Sequence, residues 1–200
     1  DMLKASYGEE TMKLILESFL KDSKVSAVVN AIKITRTELM ERLTAQGIEV
    51  TDAPYVENAF IMSDYNYLEE IPEFIDGMFQ IQDISSMLAG MIASPSKDST
   101  VIDVCAAPGG KSTQIACSMQ GEGLIVCNEI HPARAKILSE NVERMGIANA
   151  MVTNETPQRL AEVFEDYFTR ILVDAPCSGE GMFRKNEAAC EEWNPENVRL

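Results

Sequence analysis

The sequence predicts an α/β fold in which a parallel sheet covered by helices follows a small α+β domain. Short apolar segments alternate with amphipathic ones from residue 101 onward, the pattern of parallel strands joined by helices. Residues 25–62 have the order strand, helix, strand, strand, which is typical of a small α+β unit. The chain has 200 residues, of which 46% are hydrophobic, enough for a buried core.

The N-terminal elements follow from apolar spacing and from local signals. Apolar residues recur at helical spacing over 9–19, and residues 25–34 are β-branched and predict a strand. A capping box at Thr35–Glu38 begins a helix that extends to about Ala45, and Gly47 would end it. Further strands are predicted at 48–50, 59–62 and 77–81, and a short helix at 67–75.

The C-terminal elements alternate regularly. Residues 84–93 predict a helix, and the loop at 94–99 is rich in serine and contains a proline. We therefore expect a small domain at residues 1–80 and a sheet domain at 81–200. Strands are predicted at 101–105, 123–128, 150–153 and 170–174, and helices at 112–119, 132–145 and 159–164.

Composition excludes several classes of protein. No apolar stretch is long enough to cross a membrane, and the first residues lack the pattern of a signal peptide. The five cysteines are an odd number without the paired spacing of zinc sites, so neither a disulfide framework nor a metal site is expected. A reducing, cytoplasmic location fits this use of cysteine.

Charge is unevenly distributed along the chain. The formal net charge of −15 argues against indiscriminate nucleic-acid binding, because phosphate contacts need a positive surface. Residues 43–96 contain nine acidic residues and no Lys or Arg. Positive charges collect at Lys21, Lys24, Lys33, Arg36, Arg42, Arg184 and Lys185. A local basic track for RNA and a solvated face with scattered cations are both open interpretations.

Two turns at strand ends form the candidate functional site. The first is Val101–Ser112, with the sequence VIDVCAAPGGKS, and the second is Ile171–Gly181, with the sequence ILVDAPCSGEG. Open α/β sheets bind ligands at the carboxyl ends of their strands. Gly109 and Gly110 allow the backbone to approach a ligand closely, the N–H groups of the next helix can bind an anionic group, and Lys111 adds positive charge.

Together the two turns resemble the RNA 5-methylcytosine methyltransferases of the Sun (Fmu) family, which use S-adenosylmethionine (SAM). The resemblance rests on CAAPGGK at 105–111, DAPCSGEGMFRK at 174–185 and QDISS at 82–86, and it extends from about Val28 to the end of the chain. It implies a class I SAM-methyltransferase fold, with a Rossmann-like parallel sheet that is truncated at its C-terminal side. It also implies an RNA-recognition-like module in the small α+β domain.

The resemblance implies a set of cofactor-binding residues. Glu129, at the end of the next predicted strand, can accept hydrogen bonds from both ribose hydroxyls. Where the family often has an Asp for the adenine amino group, this chain has Asn154 and Thr156, and the choice between them stays open. The expected set is Cys105, Ala106, Ala107, Pro108, Gly109, Gly110, Lys111, Glu129, Asn154, Thr156 and Asp174.

The implied chemistry is covalent catalysis. Carbon 5 of cytosine is a poor nucleophile, and addition of a thiolate to carbon 6 makes it electron-rich enough to accept a methyl group. In the resembled family one cysteine, on a later strand, attacks, and another helps to release the product. Cys177 matches the second cysteine, and Asp174 matches a residue that contacts the cytosine ring near N3. We expect the attacking cysteine to lie outside this chain, which is then a fragment that cannot methylate RNA by itself.

The expected partner is RNA, with ribosomal RNA favoured over tRNA. The sequence indicates no oligomeric state. A dinucleotide-binding fingerprint needs G-x-G-x-x-G, which the glycine turn does not supply, and a P-loop needs glycine at the position of Cys105. The sequence therefore disfavours both kinds of nucleotide site. Methyltransferases for exocyclic amines carry a different turn at the position of Asp174. Three alternatives stay open: the glycine turn is structural and binds no ligand, Asp174 only caps its turn, or the protein is a non-catalytic RNA-binding or assembly factor. Among other residues, His131 is expected to start a helix, Trp193 to pack, and Cys190 to be structural or exposed.

Overall fold

The structure is a computed structural model that describes residues 2–19, 24–177, 191 and 193–194. The chain divides into two compact units, and Lys24–Ala175 forms the larger one. The other contains helix α1 (Met2–Phe19) and Cys177. Helix α1 consists of two helical segments that meet at Gly8, where φ is 78°. Cys190 lies outside the described residues.

The first sheet of the larger unit is antiparallel and has the strand order β2-β3-β1-β4. Its elements along the chain alternate as in a split βαβ unit. This order confirms the small α+β module expected from the sequence. The elements are β1 (Val25–Val29), α2 (Arg36–Ala45), β2 (Glu49–Asp52), β3 (Ala59–Ser63), a 3₁₀ turn (Leu68–Glu70), α3 (Pro72–Ile75) and β4 (Phe79–Ile81).

Local signals explain the elements of this module. Thr35 caps α2 by accepting a hydrogen bond from the Glu38 backbone N–H at 3.3 Å, as the capping box predicts. Strand β1 ends at Val29, five residues earlier than predicted. The next residue, Asn30, has a buried side chain that donates hydrogen bonds to the backbone carbonyls of Gly77 and Met145. Phe60 and Phe79 pack edge to face at the centre of the module, with ring centroids 5.6 Å apart.

The second sheet is parallel and has the strand order β7-β6-β5-β8. Helices connect its strands, so the predicted Rossmann-like alternation is confirmed. Val101, Ile115, Ile125 and Leu138 are fully or almost fully buried in its core. The elements are α4 (Ile84–Ala93), β5 (Thr100–Asp103), α5 (Gly110–Ser118), β6 (Leu124–Asn128), α6 (Pro132–Met145), β7 (Ala150–Thr153), α7 (Pro157–Val163) and β8 (Arg170–Leu172).

Strand ends differ from the prediction at the two motifs. The sheet pairing of β5 stops at Asp103 and that of β8 at Leu172, two residues before each predicted end. The apolar composition continues into the turns, but the backbone there leaves the sheet. Across the part of the chain that the structure describes, no helix is long and apolar enough to span a bilayer.

Candidate cofactor and catalytic site

The glycine turn connects the carboxyl end of β5 with the N-terminus of α5. Gly109 has φ 116° and ψ 0°, in the left-handed region that side chains disfavour. A Cβ added there would lie 3.1 Å from Leu138 Cδ1, so both conformation and space call for glycine. Helix α5 begins at Gly110, and its first N–H groups have no partners within the helix. They form an anion-binding end beside the turn.

Backbone groups of the glycine turn are held by neighbouring elements. The Ala106 N–H donates to a carbonyl at the end of β6, and two side chains of α6 donate to turn carbonyls. These contacts fix the turn from the β6 and α6 side. The three bonds are Ala106 N to Asn128 O (2.7 Å), Arg134 Nη2 to Ala107 O (2.8 Å) and Asn141 Nδ2 to Pro108 O (2.9 Å).

Lys111 joins the three segments that carry the family resemblance. Its Nζ lies 2.7 Å from Asp174 Oδ2, in the turn after β8, and donates to Ser86 Oγ at 3.4 Å. The Lys111 side chain is 19% exposed and that of Asp174 is 58% exposed. Such an exposed ion pair adds little stability, so its importance is that it places Asp174 beside the glycine turn.

Glu129 follows β6 and is 2% exposed. Its Oε1 accepts a hydrogen bond from the His131 backbone N–H at 3.0 Å, and its Oε2 lies 3.3 Å from Arg134 Nη1. Arg134 also holds the glycine turn through Ala107, so it links the carboxylate to that turn. His131 stands at the N-cap position of α6, the helix start expected for it.

A buried carboxyl at the end of β5 was not predicted as a site residue. Asp103 is 1% exposed, and its Oδ2 accepts a hydrogen bond from Ser112 Oγ at 2.7 Å. Its Oδ1 accepts no hydrogen bond of ordinary geometry from the described residues. Burial raises the pKa of Asp103, and the Ser112 hydroxyl and the Cys105 backbone oppose that rise. The Asp-x-Cys order at the end of an apolar strand is the sequence signal for it.

The chemistry of these groups fits SAM. The cofactor carries a carboxylate, an ammonium and a ribose diol. The open N-terminus of α5 suits the carboxylate, while the unpaired oxygen of Asp103 and the carboxylate of Glu129 are acceptors for ammonium and hydroxyl donors.

The two candidates for adenine contact lie beyond β7. Asn154 donates through Nδ2 to the carbonyls of Glu129 (2.6 Å) and Ile130 (2.9 Å). Thr156 caps α7, and its Oγ1 accepts a hydrogen bond from the Arg159 N–H at 3.2 Å. Thr156 is therefore already used in its helix, whereas Asn154 is held beside the end of β6. Which of them contacts adenine stays a prediction.

The described cysteines differ in exposure. Cys117 and Cys127 are buried, and burial raises the pKa of each to about 12. Cys105 is half-buried, and burial and then the carboxylate of Asp103 raise its pKa. Raised values argue against a nucleophilic role. Cys177 is exposed. Among the residues described, no group of three or more His, Cys, Asp or Glu side chains is arranged to hold a metal ion.

Known families match both parts of the chain. The family described as 16S rRNA methyltransferase RsmB/F matches residues 90–199. The ferredoxin-like domain of the RsmF/B-like methyltransferases matches residues 1–66.

Individual relatives agree with these matches. Ribosomal RNA small subunit methyltransferase F of Escherichia coli O139:H28 (strain E24377A / ETEC) is 38% identical over 175 residues, which covers 84% of this chain and 36% of the relative. The protein of the same name from Shigella boydii serotype 18 (strain CDC 3083-94 / BS512) gives the same values. The chain thus spans little more than a third of the length of the curated relatives it matches.

Solved structures share the fold. A methyltransferase homologue protein from Pyrococcus horikoshii superposes with a TM-score of 0.78 at 28% identity, covering 92% of this chain and 60% of that one. NSun6 from Pyrococcus horikoshii, crystallised with SFG, superposes with a TM-score of 0.85 at 19% identity, covering 99% and 74%. The latter likeness supports the fold alone. The family resemblance, the fold class and the family's cofactor SAM are confirmed, while the roles of single residues and the boundary at residue 80 stay predictions.

Proposed function

The chain belongs to the 16S rRNA methyltransferase RsmB/F family, and from that membership we propose that its protein methylates carbon 5 of a cytosine in ribosomal RNA through a covalent cysteine adduct. Bound SAM supplies an electrophilic methyl group. The observation that carries the proposal is the contact of Lys111 Nζ with Asp174 Oδ2 at 2.7 Å. It supports a single site in which the cofactor turn lies beside Asp174.

The residues around the glycine turn hold the cofactor in this proposal. The N-terminus of α5 receives its carboxylate, and Glu129 accepts hydrogen bonds from its ribose. Asn154, held next to Glu129, is the better candidate for adenine, because the hydroxyl oxygen of Thr156 already caps α7. Lys111 offsets negative charge at the cofactor end of the site.

Asp174 and Cys177 act on the base. Asp174 contacts the ring near N3, where a carboxyl that carries a proton donates a hydrogen bond to the negative charge that develops after a cysteine thiolate has added to carbon 6. The resemblance assigns that addition to a cysteine on a later strand. Carbon 5 then takes the methyl group while the donor leaves as a thioether. A base accepts the carbon 5 proton, and the electrons of that carbon–hydrogen bond form the ring double bond as the carbon–sulfur bond breaks to return the thiolate. Cys177 assists this last step, and its exposure is compatible with access to RNA.

The test uses the full-length protein, labelled SAM and 16S rRNA, with tRNA as a competing substrate. We expect label at carbon 5 of cytosine in the ribosomal RNA, and the reaction belongs in the cytoplasm, where ribosomal subunits are assembled. Cys177→Ala should accumulate a protein–RNA adduct that survives denaturant, and Cys117→Ala, at a buried thiol, should not. SAM binding without any transfer would favour the non-catalytic assembly factor, and transfer to another atom would refute the cytosine chemistry.

A further inference from the structure

Two glutamines of the small α+β module lie against the glycine turn. Gln80 is in β4, Gln82 follows it, and they are 6% and 7% exposed. A Cβ added to Gly110 would lie 3.5 Å from Gln80 Nε2 and 3.5 Å from Gln82 Cδ. The first residue of α5 thus packs on polar side chains of the neighbouring module. Buried amides at such a contact need partners, because an unmade hydrogen bond in the interior is costly.

Gln80 finds its partner in α5. Thr113 is 1% exposed, and its Oγ1 lies 2.7 Å from Gln80 Oε1. The same hydroxyl lies 2.9 Å from the Gly109 carbonyl, but it has only one proton to donate. Rotation of the Gln80 amide exchanges its oxygen and nitrogen ends. Gln80 can therefore accept a hydrogen bond from the Thr113 hydroxyl, or it can donate one to the hydroxyl oxygen while the hydroxyl donates to the Gly109 carbonyl. Both arrangements keep Gln80 bonded to Thr113.

Thr113 in turn holds the residue of the turn that has a positive φ, Gly109. Its backbone N–H donates to the Gly109 carbonyl at 2.9 Å, the same oxygen that its hydroxyl approaches. Gly109 adopts φ 116°, one of many conformations open to glycine, so its contacts select it. A side chain that holds Thr113 in place therefore also holds the carbonyl of Gly109 and the direction of the following N–H groups.

We propose that Gln80 is a positioning residue for the cofactor: the small α+β module holds the glycine turn in its SAM-binding geometry through Gln80 and Thr113. This inference rests on the proposed SAM site. It predicts that SAM affinity depends on a residue of the small module whose hydrogen bond to the turn runs through Thr113. It assigns that module a role in cofactor binding in addition to any role in binding RNA.

A second contact between the small module and the sheet domain provides the matched control. Asn30 is fully buried, and its Nδ2 donates to the carbonyls of Gly77 (2.8 Å) and Met145 (2.7 Å). Its Oδ1 accepts from the Cys117 thiol, near the C-terminal end of α5. Asn30→Ala thus weakens the contact between the same two domains, but at the end of α5 opposite the glycine turn.

The experiment measures SAM affinity by calorimetry in the full-length protein. Gln80→Leu and Thr113→Val should each weaken SAM binding about tenfold, the loss expected for one buried hydrogen bond, and the double variant should be no weaker than either alone. Thr113→Ser keeps the hydroxyl and should bind as the parent does. Asn30→Ala should lower the thermal midpoint yet leave SAM affinity within about twofold.

A second readout does not depend on SAM. Amide hydrogen exchange of residues 106–113, measured without cofactor, should be faster in Gln80→Leu than in Asn30→Ala. Equal SAM affinity and equal exchange in the Gln80 variant and the parent would refute the positioning role, as would an equal loss of affinity in the Asn30 variant. A parent that binds no SAM, with exchange at the turn still faster in the Gln80 variant, would instead refute the cofactor assignment on which the role rests.

Discussion

Replacement of Glu129 measures the importance of the acidic strand end for cofactor binding. Its side chain is 3% exposed and lies 3.3 Å from Arg134. Glu129→Gln preserves the volume and the acceptor for the His131 N–H but removes the charge. Because charge-assisted hydrogen bonds are about twice as strong as neutral ones, we expect SAM affinity to fall by about 1 kcal/mol, or about fivefold.

Glu129→Ala should have the larger effect. It removes the acceptor for ribose and also releases Arg134, which donates to Ala107 in the glycine turn at 2.8 Å. The expected loss is about 1–3 kcal/mol of binding free energy. Glu155→Gln is the control, because Glu155 is an exposed neighbour that joins the site only through backbone atoms. Calorimetry would refute the ribose assignment if both Glu129 variants bound SAM as tightly as the parent while remaining folded.

Further predictions concern strain, proton binding and thiol reactivity. Gly109→Ala should lower the free energy of unfolding by about 1–3 kcal/mol. The loss should exceed that of Gly121→Ala, because Gly121 has φ 80° but no atom within 4 Å of an added Cβ. Denaturant unfolding compares the two variants, and equal losses would contradict the crowding argument. Burial raises the pKa of Asp103 above 3.8 in the folded state, so its ionisation opposes folding and stability falls as the pH rises through the folded pKa. Asp103→Asn should therefore gain stability relative to the parent as the pH rises from about 4, and thermal midpoints that stay parallel over that rise would contradict it. An alkylating reagent at neutral pH should label Cys177, which is exposed, and spare Cys117, whose pKa is about 12; mass spectrometry after digestion checks this, and equal labelling would refute it.

Local signals were sufficient for many elements of the fold. Helix α6 has the predicted bounds 132–145, because Pro132 suits its first turn and Gly146, with φ 69°, ends it. Strand β1 was predicted five residues too long. Its end is set by Asn30, whose buried side chain bonds to the carbonyl of Met145, more than a hundred residues away. Apolar periodicity within a short window has no information on such a contact.

The candidate site, like the fold, has one part that local sequence signals predict and another part that they do not. The positions of the glycine turn, Glu129 and Asp174 at strand ends could be predicted, because each follows directly from a motif or a strand end, while their roles stay predictions. The contacts of Arg134 and Gln80 could not, because their partners, Ala107 and Thr113, lie in other elements. A polar residue in an amphipathic helix or at a strand end has many ordinary explanations, and only the distances to these partners distinguish it.

The structure also bears on the two interpretations of the N-terminal cations. Lys33 donates to two backbone carbonyls, Arg36 pairs with Asp52, and Arg42 pairs with Glu38 at 2.7 Å. Cations with such partners contribute less to RNA binding than free ones, because each phosphate contact must displace an existing bond. Lys111 is likewise held by Asp174. Within the described residues, these contacts favour structural roles for Lys33, Arg36 and Arg42, and they weaken the case for a basic track along this module.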